Sequence, residues 1–306
     1  TVGATGIAGL VMNTKVGLQS FSKNNTPVGA VYAKTKTLNN GTITMTGRPT
    51  DGAVAMYTKY GKVENSVSGK VNIEDDNSIG LYGIDSSQVL NTGTVNVKGN
   101  SSLGLYGVSD DLLNPTVTGA SGVLLRQDAT GIINVEGTDS AGIYGTKVRT
   151  VAGKTYIIEN NGTINVNNGD SLGIYSDNVN VTTVGNINLN DISVNTAGNR
   201  VGVYAQGTDA TVTTTGANIN LGTKDQTNIA YYVTNNAKLS GANLETVSGY
   251  GILTAAQDTT VNNTTMPTAI TGTNGQIGLA LLGTNTYGYT GDITVGNGAV
   301  SGSTID

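Results

Sequence analysis

Lys147, Arg149 and Lys154 stand shortly before Tyr156, and cations beside an aromatic ring can hold anionic or carbohydrate groups through hydrogen bonds and stacking. These four residues are the candidate binding set. A solvated hairpin excursion is the plainer alternative for the same stretch. Adjacent carboxylates occur at Glu74-Asp75-Asp76 and at Asp110-Asp111. Two carboxylates held at a fixed separation across a cleft could hydrolyse a glycosidic bond. Neighbours on one loop point apart, however, so solvation is the expected role of both clusters and no catalytic residue is assigned. The Gly-Gly-x-Gly-x-Asp repeat of calcium-binding β-rolls is absent. The chain has no His and no Cys, which removes the usual ligands of zinc and copper and any thiolate nucleophile. No metal and no cofactor are therefore expected. A net charge of −5 argues against nucleic acid as a partner. The charge is uneven: residues 1–154 carry 13 Lys and Arg against 11 Asp and Glu, and residues 155–306 carry 3 against 10.

The elements that must position these groups show themselves by repetition. Ser102-Leu103-Gly104-Leu105-Tyr106-Gly107 returns as Ser78-Ile79-Gly80-Leu81-Tyr82-Gly83, Ser140-Ala141-Gly142-Ile143-Tyr144-Gly145, Ser171-Leu172-Gly173-Ile174-Tyr175-Ser176 and Arg200-Val201-Gly202-Val203-Tyr204-Ala205. From Tyr32 to Tyr232 the tyrosines stand 25, 25, 24, 38, 31, 29 and 28 residues apart. Gly122-Val123-Leu124 divides the gap of 38 into 18 and 20, which suggests two units there. A second motif keeps step with the first, as in Gly69-Lys70-Val71-Asn72-Ile73, Gly93-Thr94-Val95-Asn96-Val97, Gly131-Ile132-Ile133-Asn134-Val135 and Gly162-Thr163-Ile164-Asn165-Val166. In these four pairs the two glycines are 11 residues apart.

Both motifs alternate with period two, the signature of a half-buried strand. In the second, Val95/Val97 and their equivalents share one face, and Asn72, Asn96, Asn165 and Asn188 share the other. In the first, Leu103/Leu105, Ile79/Leu81, Leu172/Ile174 and Val201/Val203 are expected inside. Turning Gly and Tyr inward instead would put about two aliphatics per repeat into water, at roughly 1.5–3 kcal/mol each. Tyr57, Tyr82, Tyr106, Tyr144, Tyr175, Tyr204 and Tyr232 then form a column on the outer face, with ring stacking between repeats as its expected purpose.

Units this short cannot bury an apolar face alone, but stacked copies can. The reading is an all-β chain, a right-handed parallel β-helix of about ten coils with two or three strands each. Gly is 44 of 306 residues, about twice its usual share of roughly 7%, and a core without Trp suits a narrow interior of Val, Ile and Leu. Continuous repetition argues for a single elongated body over 1–306, with 1–28 and 233–306 as less regular coils. Residues 109–115 and 146–160 are expected as protruding loops. Both ends read as cut from a longer array, with anchoring segments outside it.

Ser-x-Gly-Ile/Leu-Tyr-Gly alternating with Asn-Gly-Thr-Ile-Asn-Val, as in Asn161-Gly162-Thr163-Ile164-Asn165-Val166 followed by Ser171-Leu172-Gly173-Ile174-Tyr175, resembles the passenger repeats of the large fusobacterial type V autotransporter adhesins, the RadD-like outer-membrane proteins. The resemblance covers residues 29–232 best. It implies a secreted β-helical passenger displayed at the cell surface, with membrane anchoring by a C-terminal barrel outside this chain. It also implies a host-cell or bacterial surface protein or glycan as partner. A carbohydrate-active β-helix, a polysaccharide lyase or hydrolase, is the alternative. It would require convergent carboxylates from different coils in a groove.

Overall fold

The computed structural model describes residues 36–47, 52–59, 61–85, 87–109, 123–148, 156–190, 199–215, 219–221 and 228–240 with their side chains. It also describes the backbone of eight further strands, from Val2–Ala4 to Ile293–Val295, outside those ranges. Among the described residues there is no helix. One central coil runs through Gln88–Asn91, Thr94–Val97 and Leu103–Ser109. The next repeats the course with Leu124–Gln127, Ile132–Val135 and Ala141–Lys147. Each strand pairs in parallel with its equivalents in the coils before and after, which gives a first sheet of ten strands, a second of eight and a third of ten. The fold is a right-handed parallel β-helix.

Register is strict, so every residue of a coil stands on its equivalent in the next. The second sheet follows the alternation read from sequence. Val71/Ile73, Val95/Val97, Ile133/Val135 and Ile164/Val166 point inward with no exposed surface, and Asn72, Asn96, Asn134 and Asn165 stack outside. Inside the third sheet are Leu81, Leu105, Ile143, Ile174 and Val203.

Two expectations about the third sheet need correction. In three of the four pairs only the second aliphatic is in the core; Ile79, Leu103 and Leu172 are half-buried on the outer side, whereas Val201 is buried. The glycine between them is the residue that faces inward. Gly104 is skipped in the pairing, where Leu103 matches Ile79 and Leu105 matches Leu81, so two consecutive residues turn inward and the alternation is broken as at a bulge. A Cβ on Gly104 would lie 2.5 Å from the Gly142 carbonyl oxygen, which is why this position takes no side chain.

The gap of 38 residues is also one coil and not two. Tyr106 pairs directly with Tyr144, while Val123 is buried and Leu124 opens a strand of the first sheet. That first sheet had no motif assigned to it. Its strands place one aliphatic and one amide or hydroxyl inside, as in Val63/Asn65, Val89/Asn91, Leu125/Gln127, Ile158/Asn160 and Val181/Thr183. The amides bond in sequence up the interior: Asn39 Nδ2 donates to Asn65 Oδ1 at 2.8 Å, Asn65 to Asn91 at 2.8 Å, and Asn91 to Gln127 Oε1 at 2.6 Å. The same amides also donate to carbonyls at the bend into the second sheet, such as Gly69 O and Gly93 O. Each of these carbonyls also accepts a backbone N–H from the next coil, Thr94 and Ile132 in turn, so the amides occupy a second lone pair and tie the corner together.

Candidate functional site

The outer face of the third sheet carries the tyrosine column as expected, and its geometry is unequal along the rod. Tyr82–Tyr106, Tyr144–Tyr175 and Tyr175–Tyr204 are stacked, with centroids 4.9, 4.2 and 5.1 Å apart and interplanar angles of 16°, 17° and 12°. Tyr57–Tyr82, Tyr106–Tyr144 and Tyr204–Tyr232 meet edge to face at 61°, 75° and 70°. All seven rings are half-buried. Burial pushes the Tyr82 phenol up to about 12, with smaller contributions from Tyr106, Tyr57 and Asp85. Burial raises Tyr57, Tyr106, Tyr175 and Tyr204 in the same direction. A ring whose faces are covered by the rings above and below has no face left for a sugar, so the stacked stretches present phenol edges and hydroxyls outward.

Of the four candidate binding residues, Lys147 and Tyr156 are brought together, while Arg149 and Lys154 lie outside the described residues. Lys147 closes a third-sheet strand, and its Nζ sits 5.5 Å from the centre of the Tyr156 ring. It also pairs with Asp209, two coils further along. The Lys147 side chain is only 7% exposed. Tyr156 is 4% exposed and joins the core beside Ile158. The stretch expected as a loop over 146–160 is therefore narrower: Thr146 belongs to a strand, and so do Ile157–Asn160. Of 109–115, Ser109 ends a strand, and 110–115 lie outside the described residues.

Most of the described carboxylates are committed to cations or to backbone amides. Glu64 lies 2.9 Å from Lys36 and 2.8 Å from Lys62. Burial pushes its carboxyl up, but the bonds from the two lysines outweigh that and hold it below the usual range. Glu74 faces Lys98 at 3.7 Å, and Asp85 faces Lys59 at 3.6 Å. Asp76 accepts the Asn100 N–H at 2.7 Å, and Asp170 accepts that of Asn199 at 3.1 Å, each from the following coil. The adjacent acids 74–76 thus point apart, as their sequence spacing implies. The pair Asp110 and Asp111 is outside the described residues.

Sequence reasoning missed the approach of Asp128 and Glu159 to one guanidinium. Arg126 Nε donates to Glu159 at 2.5 Å and stands 3.9 Å from Asp128. The bond to Glu159 raises the Arg126 pKa, in spite of burial that lowers it. Glu159 follows Arg126 by 33 residues, close to the local repeat, so opposite charges one period apart were the available signal. A second ladder, expected from sequence, runs outside the second sheet. Asn96 donates to Asn72, Asn134 to Asn96, Asn165 to Asn134 and Asn188 to Asn165, each at 2.8 Å. Among the described residues no group of three or more Asp or Glu side chains is placed to hold a metal ion.

Three parallel sheets in one winding, interior amide stacking and outer residue columns define a pectate lyase-like β-helix. The chain belongs to the family of the BigA third pectate lyase-like domain, whose model matches residues 8–216. This is a domain family of bacterial surface proteins, and it supports a passenger-like surface domain without singling out the fusobacterial autotransporters. No curated protein and no solved structure matches the chain.

Proposed function

We propose that this chain is a non-enzymatic adhesive segment of a bacterial surface protein, displayed outside the cell and anchored by an outer-membrane barrel beyond its own residues. Its partner is a host-cell or bacterial surface protein or glycan. The observation that supports this reading best is the commitment of the outer carboxylates. Glu64, Glu74, Asp85, Glu159 and Asp209 face Lys or Arg, in most cases from a neighbouring coil. Lys62 and Lys36 hold the Glu64 carboxyl below the usual range, unsuited to the protonated acid that glycoside cleavage needs, and the other four carboxylates are turned to cations of the scaffold. The amide and tyrosine columns are likewise engaged with themselves, which leaves recognition to residues outside those columns. Arg149 and Lys154, between Lys147 and Tyr156 in the sequence, are the recognition residues of this reading. The test is adherence of the purified chain to host and bacterial cells, beside an Arg149→Ala/Lys154→Ala variant with an unchanged melt. Binding lost in the variant supports the assignment. Equal binding by both moves recognition elsewhere, and no binding by either makes this segment a stalk.

A carbohydrate-active β-helix remains the second reading, favoured by Asp128 and Glu159 converging on Arg126 from adjacent coils. It predicts release of oligosaccharides from acidic polysaccharides, abolished in Glu159→Gln. Incubation without any new reducing ends or unsaturated products would remove it.

A further inference from the structure

We propose that the tyrosine column is a site of one-electron oxidation at which Tyr144 and Tyr175 become joined as dityrosine, stapling two neighbouring coils. Composition makes the column the place where an oxidant acts. The chain has no Cys, no Trp and no His, and four Met. Met45 and Met56 are fully buried. The seven phenols of the column, by contrast, lie on the outer face with part of each ring in solvent, whereas Tyr156 and Tyr231 are buried.

Continuity supplies the second part. Six successive contacts link Tyr57 to Tyr232 with centroids between 4.2 and 5.4 Å. A phenoxyl radical formed on one ring can be refilled by its neighbour, so the hole moves along the rod. Geometry selects where two radicals combine. In-register parallel strands place equivalent atoms over one another, so in a face-to-face pair the carbon ortho to one hydroxyl lies over the same carbon of the next ring. Tyr144–Tyr175 is the closest such pair, at 4.2 Å and 17°. At the edge-to-face contacts, Tyr106–Tyr144 among them, the equivalent carbons are turned away from each other.

The balance is simple. Each phenol gives up one electron and one proton, and the proton passes to water. The two ortho carbons then form one C–C bond, and their ring hydrogens move to restore both hydroxyls. Overall two phenols lose two hydrogens. A haem peroxidase supplies the oxidant, with one hydrogen peroxide reduced to two waters for each cross-link.

Treatment of the folded chain with a haem peroxidase and hydrogen peroxide, dilute enough to keep reaction within one molecule, tests this. Trypsin places Tyr144 in the peptide 127–147 and Tyr175 in 155–200, and Tyr82, Tyr106 and Tyr204 each in another, so the partners can be read by tandem mass spectrometry. The expected product is 127–147 joined to 155–200 with the loss of two hydrogens, bearing dityrosine fluorescence, and with the bond mapped to Tyr175 and not Tyr156. Tyr144→Phe and Tyr175→Phe should each abolish it while keeping the parent melting curve, and Tyr106→Phe should leave it. Cross-links equally frequent between Tyr106 and Tyr144 would overturn the proposal. So would cross-links only between molecules, or none where free N-acetyltyrosine couples in the same mixture.

Discussion

Asn91→Ala should be among the most damaging substitutions of a polar residue in this chain, and its cost can be worked from its bonds. Asn91 is fully buried. It accepts from Asn65 at 2.8 Å and donates to Gln127 Oε1 at 2.6 Å and to Gly93 O at 3.2 Å. Three buried bonds at about 1 kcal/mol each, plus about 1–2 kcal/mol for the Gln127 acceptor left dry, give about 4–5 kcal/mol. Asn165→Ala is the matched control. Asn165 accepts from Asn188 and donates to Asn134, both at 2.8 Å, but it lies half-buried on the outer face where water can replace either bond. Its cost should be at most about 1 kcal/mol. Stacked repeats can unfold in parts, so hydrogen exchange at the amides of the first and second sheets around each substitution should accompany denaturant titration. The reasoning fails if the two variants lose equal stability, because residue type and bond length are nearly the same while Asn91 differs in its burial and in one further bond, to Gly93 O.

Leu105→Asp should cost at least about 4 kcal/mol by placing a charge in the core, whereas Leu103→Asp, two residues away and half-buried outside, should cost about 1 kcal/mol; comparable melts for the two would restore the simple alternation. Alkali should destabilise the fold. Burial raises the Tyr82 phenol to about 12 from an unfolded value near 10, so its contribution is complete below about pH 10 and is lost as pH rises toward about 12. Tyr57, Tyr106, Tyr175 and Tyr204 act with the same sign, and phenolate absorbance should lag behind that of free tyrosine until circular dichroism reports unfolding. At the acid end, Glu64 is held low by Lys62 and Lys36. Its stabilisation is present above the unfolded carboxylate value near 4.3 and fades as pH falls through the lower folded value. Glu64→Gln should flatten that part of the stability profile.

Why some columns were legible from the residues and others were not follows from what each contributes to the interior. On the second-sheet strands from Lys70–Ile73 to Asn186–Leu189 two aliphatics lie inside and an asparagine outside, so period two stood out and its outer ladder could be foreseen. The third sheet announced itself by Gly and Tyr, but Gly104 and its equivalents face inward with Leu105 and its equivalents, a break in alternation set by close approach of the next coil's backbone. Area transfer alone favoured keeping aliphatics inside. It carried no term for a strand that turns two successive residues inward. The first sheet stayed hidden because Asn65, Asn91, Gln127 and Asn160 occupy inward positions that pattern reading reserves for apolar groups. Yet Asn91 precedes Gly93 as Asn160 precedes Gly162, and Asn39 precedes Gly41 in the same way. An amide two residues before a bend glycine is therefore the mark of a corner with an internal column of side-chain hydrogen bonds. The same logic removes the extra unit once drawn at Gly122-Val123-Leu124. A coil is counted by its return to all three sheets, and that segment returns to one only. Lys147 and Tyr156 follow the reverse course: their proximity was readable, but Tyr156 directs its ring into the core beside Ile158 and Lys147 is almost as covered, so the pair is a built corner of the coil.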